Sequence, residues 1–349
     1  MIPTPDSIPT AWGYFQFLLL LTFPLHLFFM NAVIGSSAIA LSAHLKGDDQ
    51  SRDLAYELAK AIPLLIALAV NFGVAPLLFT QVLYGHLLYT SSVLMGVFWI
   101  LIIPMLLIAY YATYWYDFKF ATLGRAGILV LAFGYLVFLI IGFFLSNNMT
   151  LMLHPETWGA YLDNSAGTLL NTGDSSLWPR YLHFMVGGSA IGGLFVALYG
   201  RFIARRDQAL GAHATVVGLK LFLALTLVQI AIGVWFLVAL PREQMLIFMG
   251  RNGLATASFM IALVLILAAL FTALKKRVYL TAGLAAVLVY CMVFMRDFLR
   301  GGYLRDVFTM EMLQVVPQYS SLFLFLITLV IGLALVIWML RAAFTRCEN

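Results

Sequence analysis

Apolar residues along this chain gather into long runs separated by short polar joints. Nine runs stand out: Trp12–Leu41, Ile62–Val82, Ser91–Tyr116, Gly127–Leu145, Trp178–Gly200, Thr215–Leu240, Ala255–Leu274, Val278–Met295 and Ser321–Leu340. A helix needs about 20 apolar residues to cross a bilayer, and each run is near that length or longer. The pattern predicts an all-α integral membrane protein of about nine transmembrane helices. Pro63 and Pro104 fall within two of the runs and predict kinks there, because neighbouring helices can satisfy the freed carbonyls. No fixed-period repeat and no low-complexity linker divides the sequence, so residues 1–349 read as a single membrane domain.

Composition sharpens this. Hydrophobic residues make up 63% of the chain and charged residues only 10%, against roughly a quarter charged in soluble domains. A water-facing surface cannot be built from this composition; lipid must be the main solvent, and nothing points to nucleic acid. Met1 to Ala11 carries Asp6 and no Lys or Arg, so it lacks the basic region of a signal peptide, and Trp12 is expected to open the first spanning helix. If the N-terminus is outside, 13 of the 20 basic residues fall on the cytoplasmic side, six fall outside and Lys220 lies within the sixth helix. Basic residues favour the cytoplasmic face. The expected arrangement is a multi-pass protein of the inner (cytoplasmic) membrane with the N-terminus outside and the C-terminus cytoplasmic. Cys291 and Cys347 form no disulfide framework, and no C-x-x-C-H run is present for covalent haem attachment.

Ionisable groups within membrane spans are costly and mark functional positions by default. His26 sits about half-way along the first run, in PLHLFFMNAVIG, and His183 just inside the fifth, in RYLHFMVGGSAIGG. Each imidazole either hydrogen-bonds across helices or ligates a haem iron. The pairs Gly187-Gly188 and Gly192-Gly193 would let a planar cofactor or another backbone come close. His44 and His213 are expected to be solvated at cytoplasmic helix ends, and His154 in an outer loop. His86 is expected in a tight outer turn after Gly85, as a loop residue or a contact of a haem propionate or quinone. Met260, in ATASFMIALVLILAAL, is a candidate axial partner for a histidine, with Met249 as a fallback. In VFMRDFLRGGYLRDVF, Asp297 lies beside Arg296, Arg300 and Arg305. The cluster reads either as interfacial salt bridges or as an acidic ligand with arginines clamping haem propionates.

Together these stretches resemble subunit I of the cytochrome bd quinol oxidases, over essentially the whole chain. The resemblance rests on HLFFMNAVIG of the first helix, Asn71-Phe72 of the second and LHFMVGGSAIGGLF of the fifth. It implies nine helices, an outside N-terminus and haems near the outer face. Residue by residue, it implies that His26 is the axial ligand of the high-spin haem at an oxygen-reacting centre. His183 is then one ligand of a low-spin haem b, with Met260 as its partner. Asp297 falls where the family has a glutamate ligating a second high-spin haem, three residues before the arginine that is here Arg300.

Three departures limit what carries over. The Gly-Arg-Gln-Pro-Trp signature reads Leu299-Arg300-Gly301-Gly302-Tyr303, the third run contains none of the family's two glutamates, and the outer loop that forms the family's quinol site shrinks to about Pro241–Ile247. Oxygen reduction and the usual quinol site are therefore not implied. The expected function is a membrane haem b cytochrome subunit holding one to three haems, with haem d an option. It would pass electrons between membrane quinol and a redox partner such as an extracytoplasmic c-type cytochrome, alongside a second membrane subunit. A terminal quinol:oxygen oxidase and a haem-free anchor or transporter are the alternatives.

Overall fold

In the computed structural model, residues 2–346 are described, and side chains through Ala342; Cys347 lies outside these. Among the described residues, nine helices are long and apolar enough to cross a membrane. They are α1 (Trp12–Lys46), α2 (Asp49–Leu94), α3 (Gly96–Phe118), α4 (Ala126–Leu153), α5 (Leu177–Ile203), α6 (Gln208–Ala239), α7 (Gly253–Leu274), α8 (Val278–Leu304) and α9 (Tyr319–Arg346). No strand occurs among them, only an isolated bridge between Ile8 and Val315. The outward faces are apolar: Ile100, Tyr111 and Val264 are each about two-thirds exposed or more. Large apolar residues facing outward suit lipid, and the protein is a multi-pass membrane protein.

Short connections set neighbours antiparallel. α1 stops at Gly47, which adopts the left-handed conformation (φ 73°) that favours glycine, and its N–H donates to Ala43 O. Asp48 follows at once and caps α2, its carboxylate accepting from the N–H and hydroxyl of Ser51 at 3.0 and 2.9 Å. Those two donors pull the Asp48 carboxyl down to about 2. At this basic end Glu57, buried on α2, accepts from Lys60 at 2.6 Å and pairs with Arg206 in the α5–α6 connection.

The second helix differs most from the sequence expectation. It has 46 residues, about 69 Å at ~1.5 Å per residue, more than twice the hydrocarbon thickness. It extends beyond Ile62–Val82 at both ends, and Gly85-His86 is not a turn. The chain kinks at Tyr84 (φ −129°, ψ 21°) and continues helically to Leu94. Tyr84–Leu94 is held in place by burial: Leu83, Tyr84, Leu87 and Leu88 pack with Ile8, Leu151–Leu153, Leu304, Phe308 and Leu313. These segments form a cap over the end opposite the basic one, closed by Ile8 N–H donating to Gln314 O at 2.8 Å and Val316 N–H to Ile8 O at 2.9 Å.

Inside the bundle, α1 crosses α5 at glycines. A Cβ on Gly192 would run into the Asn31 carbonyl oxygen and the backbone of Gly35, and one on Gly193 would lie 2.9 Å from Gly218 O of α6. The helix carrying His26 therefore lies backbone to backbone against the helix carrying His183. By contrast α9 is exposed along Tyr319–Arg341.

Candidate functional site

His26 is half-buried on α1, with Nδ1 2.8 Å from the carbonyl oxygen of Ala69 on α2. A carbonyl only accepts, so Nδ1 carries the hydrogen and Nε2 keeps its lone pair. Metal-ligating histidines show this arrangement, the outer nitrogen donating to a carbonyl that fixes ring and tautomer. The ring reaches α2 because residue 73 is glycine: a Cβ there would lie 2.8 Å from His26 Nδ1 and 2.9 Å from Cε1. Three residues before His26, Phe23 sets its ring 6.3 Å from the imidazole, and the Arg296 guanidinium lies 4.6 Å over the same Phe23 ring.

His183 on α5 repeats the pattern. Its imidazole lies against Phe236 of α6 at 5.8 Å, and Arg180 lies 5.2 Å over that ring. The His183 backbone carbonyl accepts from Gln229 Nε2 at 2.9 Å, while its buried side-chain Nδ1 has no hydrogen-bond partner. An unpartnered buried nitrogen is costly unless something binds it. The glycines after His183 are filled by protein: a Cβ on Gly187 would lie 3.0 Å from Gln229 Nε2, and one on Gly188 2.8 Å from Asn31 Oδ1. Of the two readings of that small-residue run, the close approach of neighbouring helices is what occurs at these positions.

Between the two histidine units lies a knot of charge. Arg300 is 2% exposed; its Nη2 donates to Asp297 Oδ1, its plane sits 4.2 Å over Tyr84, and its Nε and Nη1 have no hydrogen-bond partner. Asp297 accepts at its other oxygen from Gln16 Nε2 of α1 at 2.7 Å. Arg180 is 4% exposed; Nη2 reaches Ser176 Oγ at 3.3 Å and Nε has no hydrogen-bond partner. Arg296 offers Nη2 to the Met149 sulphur at 3.6 Å. Neither Arg180 nor Arg296 has a carboxylate within ion-pair distance among the described residues. Arg305, grouped with them in the sequence, is exposed and outside the knot. Lone buried guanidiniums are expensive, so the site is short of negative charge.

Met260 lies on α7, which shares with α5 a buried cluster that includes Ala190 and Ala269 but not Met260. The Met260 side chain is 46% exposed. Met249 is not on α7 at all; it lies in the irregular turn ahead of it (φ −111°, ψ 33°) and is 47% exposed.

Three of the remaining histidines have partners that the local sequence does not announce. His44 hydrogen-bonds the Tyr116 hydroxyl at 3.0 Å and lies against Phe120. His86 is buried edge-on to Phe308 at 4.6 Å. His154 bonds Glu156 at 2.6 Å and lies 3.4 Å from Asp174 Oδ2, with Tyr303 edge-on. In each case long-range packing supplies a partner that local polarity does not reveal. His213 lines a cavity of about 340 Å³ at the basic end together with Lys46 and Lys220.

The chain matches no family model and no curated protein. What the site can hold therefore rests on its donors. No group of three or more His, Cys, Asp or Glu side chains converges among the described residues, so a bare metal ion finds no ligand set there. Haem brings its equatorial nitrogens with it and asks the protein for one or two axial donors and for cations to face its propionates. His26 Nε2, the unpartnered imidazole of His183 and the unpartnered guanidinium N–H groups fit those demands.

Proposed function

We propose that this protein is a membrane haem b cytochrome subunit, resembling cytochrome bd subunit I. It would pass electrons between membrane quinol and an extracytoplasmic redox partner such as a c-type cytochrome. The observation that carries the proposal is the repeated unit of imidazole, phenyl ring and guanidinium without a carboxylate, at His26–Phe23–Arg296 and again at His183–Phe236–Arg180. Two such units in one apolar bundle argue against a haem-free anchor, because neither Arg180 nor Arg296 has a carboxylate within ion-pair distance among the described residues, Asp297 being bonded to Arg300 and Gln16.

Bound haem would supply a reversible one-electron centre. The chain's own residues do the rest. His26 is held by Ala69 O so that Nε2 is presented as a donor, and Gly73 leaves room for the ring. His183 offers an imidazole backed by Phe184 and Phe236, which keep water from it. Arg180, Arg296 and Arg300 supply the cations that propionates need. Met260 remains the proposed partner of His183; reaching it requires the exposed thioether to swing inward. No carboxylate enters α3 before Asp117 at its basic end, so that helix offers no acidic route for protons to a buried oxygen site. Electron exchange needs no such route.

The experiment is a stopped-flow mixture of the quinol-reduced purified protein with an oxidised c-type cytochrome. The expected outcome is electron transfer to the cytochrome with negligible steady oxygen uptake. Steady oxygen consumption that His26→Ala abolishes would replace this proposal with the oxidase.

The proposed orientation places the capped end outside and the basic end in the cytoplasm of an inner membrane. Burial strengthens the charge argument: Arg180 and Arg300 are interior, so they leave the count of loop residues on the capped side. A reporter active only in the cytoplasm is expected to work when fused after Asn349, whereas activity of a periplasmic reporter there reverses the orientation. The exposed α9 is open to lipid or to a second membrane subunit.

A further inference from the structure

We infer that the basic end of the bundle carries a binding site for an anionic phospholipid, in the groove between α1 and α6. Lys46 and Lys220 would hold the lipid phosphate, and the apolar walls between them the start of its chains.

The groove follows from the glycine crossings. α1 closes on α5 where Gly35 meets Gly192, and α6 closes on the same helix where Gly218 meets Gly193. Both helices are drawn onto α5, and toward the basic end a space of about 340 Å³ is left between them. Ligand sites span ~300–1,000 Å³, so this one has room for a headgroup, with the chains continuing along the helices into the bilayer. The first turns of α2 bound the groove through Ser51 and Leu54, and Gln50 Nε2 ties them to α6 by donating to Ala209 O at 3.4 Å.

The lining combines charge with apolar wall. On α6, His213, Val217, Lys220 and Leu221 recur three and four residues apart and share one face, as Ile39, Ser42 and Lys46 do on α1. Lys220 is seven residues beyond His213, about 10 Å deeper along the helix. An ammonium within a span is costly, and among the described residues no carboxylate lies within ion-pair distance of Lys220. Lys46 has Asp48 at 3.1 Å, an exposed pair. Two ammoniums against one carboxylate leave one positive charge in excess, which a single phosphodiester balances. The hydroxyls are already used: Ser42 donates to Ala38 O at 2.8 Å and Ser51 to Asp48 Oδ2 at 2.9 Å. Recognition therefore rests on charge, as in basic pockets between spanning helices, and selects anionic lipids as a class rather than one headgroup. The walls, Ile39, Leu54, Val217 and Leu221, suit acyl chains and offer a free phosphate nothing.

The test is native mass spectrometry of the delipidated, detergent-purified protein, with phosphatidylglycerol or phosphatidylcholine added to the same micelles. Phosphatidylglycerol is expected to stay bound in preference to phosphatidylcholine, whose own cation cancels its charge. Lys220→Gln and Lys46→Gln, on opposite walls, each weaken that binding about fivefold, the share of one basic residue near a charged lipid. Lys220→Arg keeps it, and Arg277→Gln, exposed at the same end but outside the groove, leaves it unchanged. Equal retention of the two lipids, or an equal loss with Arg277→Gln, overturns the inference. Displacement of the lipid by millimolar inorganic phosphate overturns it too, and makes the groove a site for the free anion.

Discussion

His183→Ala is expected to abolish the sharp reduced α-band of low-spin haem b while the protein still inserts into the membrane. The imidazole makes no side-chain hydrogen bond at Nδ1 and packs against the rings of Phe184 and Phe236 and against Gly233 of α6. Its removal therefore takes away no polar contact that the fold uses, and truncation of one partly buried ring costs about 3 kcal/mol or less. The helix itself is held elsewhere, by Gln229 on the His183 backbone carbonyl and by glycine contacts below it. An axial ligand is different in kind, since without it the iron loses its low-spin state. Absorption spectra of the reduced variant, with membrane content measured by immunoblot, separate the two effects. An unchanged spectrum would leave His183 as a packing residue.

Gly192→Leu is expected to be the most damaging single change in the bundle, with loss of detergent-stable protein and of any signal from both histidine units together. A Cβ at this position already collides with the Asn31 carbonyl and the Gly35 backbone. Neither obstacle is a side-chain tip that can swing away, so α1 and α5 must separate. Overpacking typically costs 1–3 kcal/mol where side chains can adjust, and about that or more is expected where backbone must move. Because α1 carries His26 and α5 carries His183, the separation disturbs both at once. Size-exclusion profiles and thermal unfolding of the variant in detergent measure it. A variant that unfolds like the native protein would mean that the crossing is looser than its geometry.

Much of this architecture was legible in the order of residues, for identifiable reasons. A spanning helix must satisfy its backbone internally and face lipid, so nine long apolar runs translate almost directly into nine helices. Helix two looks shorter in sequence than it is, because Gly85-His86 resembles a turn and Tyr84–Leu94 carries polar residues. Its burial comes from Ile8, Leu151, Leu304 and Phe308, segments far away in sequence. His26 and His183 were visible as lone ionisable groups in apolar runs. Their settings were not, since Ala69 and Gly73 meet His26, and Phe236 meets His183 and Arg180, only through the tertiary fold. Two signals were nonetheless present. Phe23 and Arg180 each precede their histidine by three residues, on the same helical face, and Arg296 and Arg300 bracket Asp297 one turn apart. The histidines near helix ends misled for the same reason as Gly85: local polarity suggested water, and aromatic partners from other helices took its place.

The central claim is that this bundle holds haem b on its own histidines. The direct measurement is a reduced-minus-oxidised spectrum of the purified protein, followed by acid extraction and identification of the pigment. A sharp b-type α-band, with non-covalent haem b recovered from the native protein and diminished by His26→Ala and by His183→Ala, is the expected result. A colourless, folded protein from haem-replete cells would contradict it.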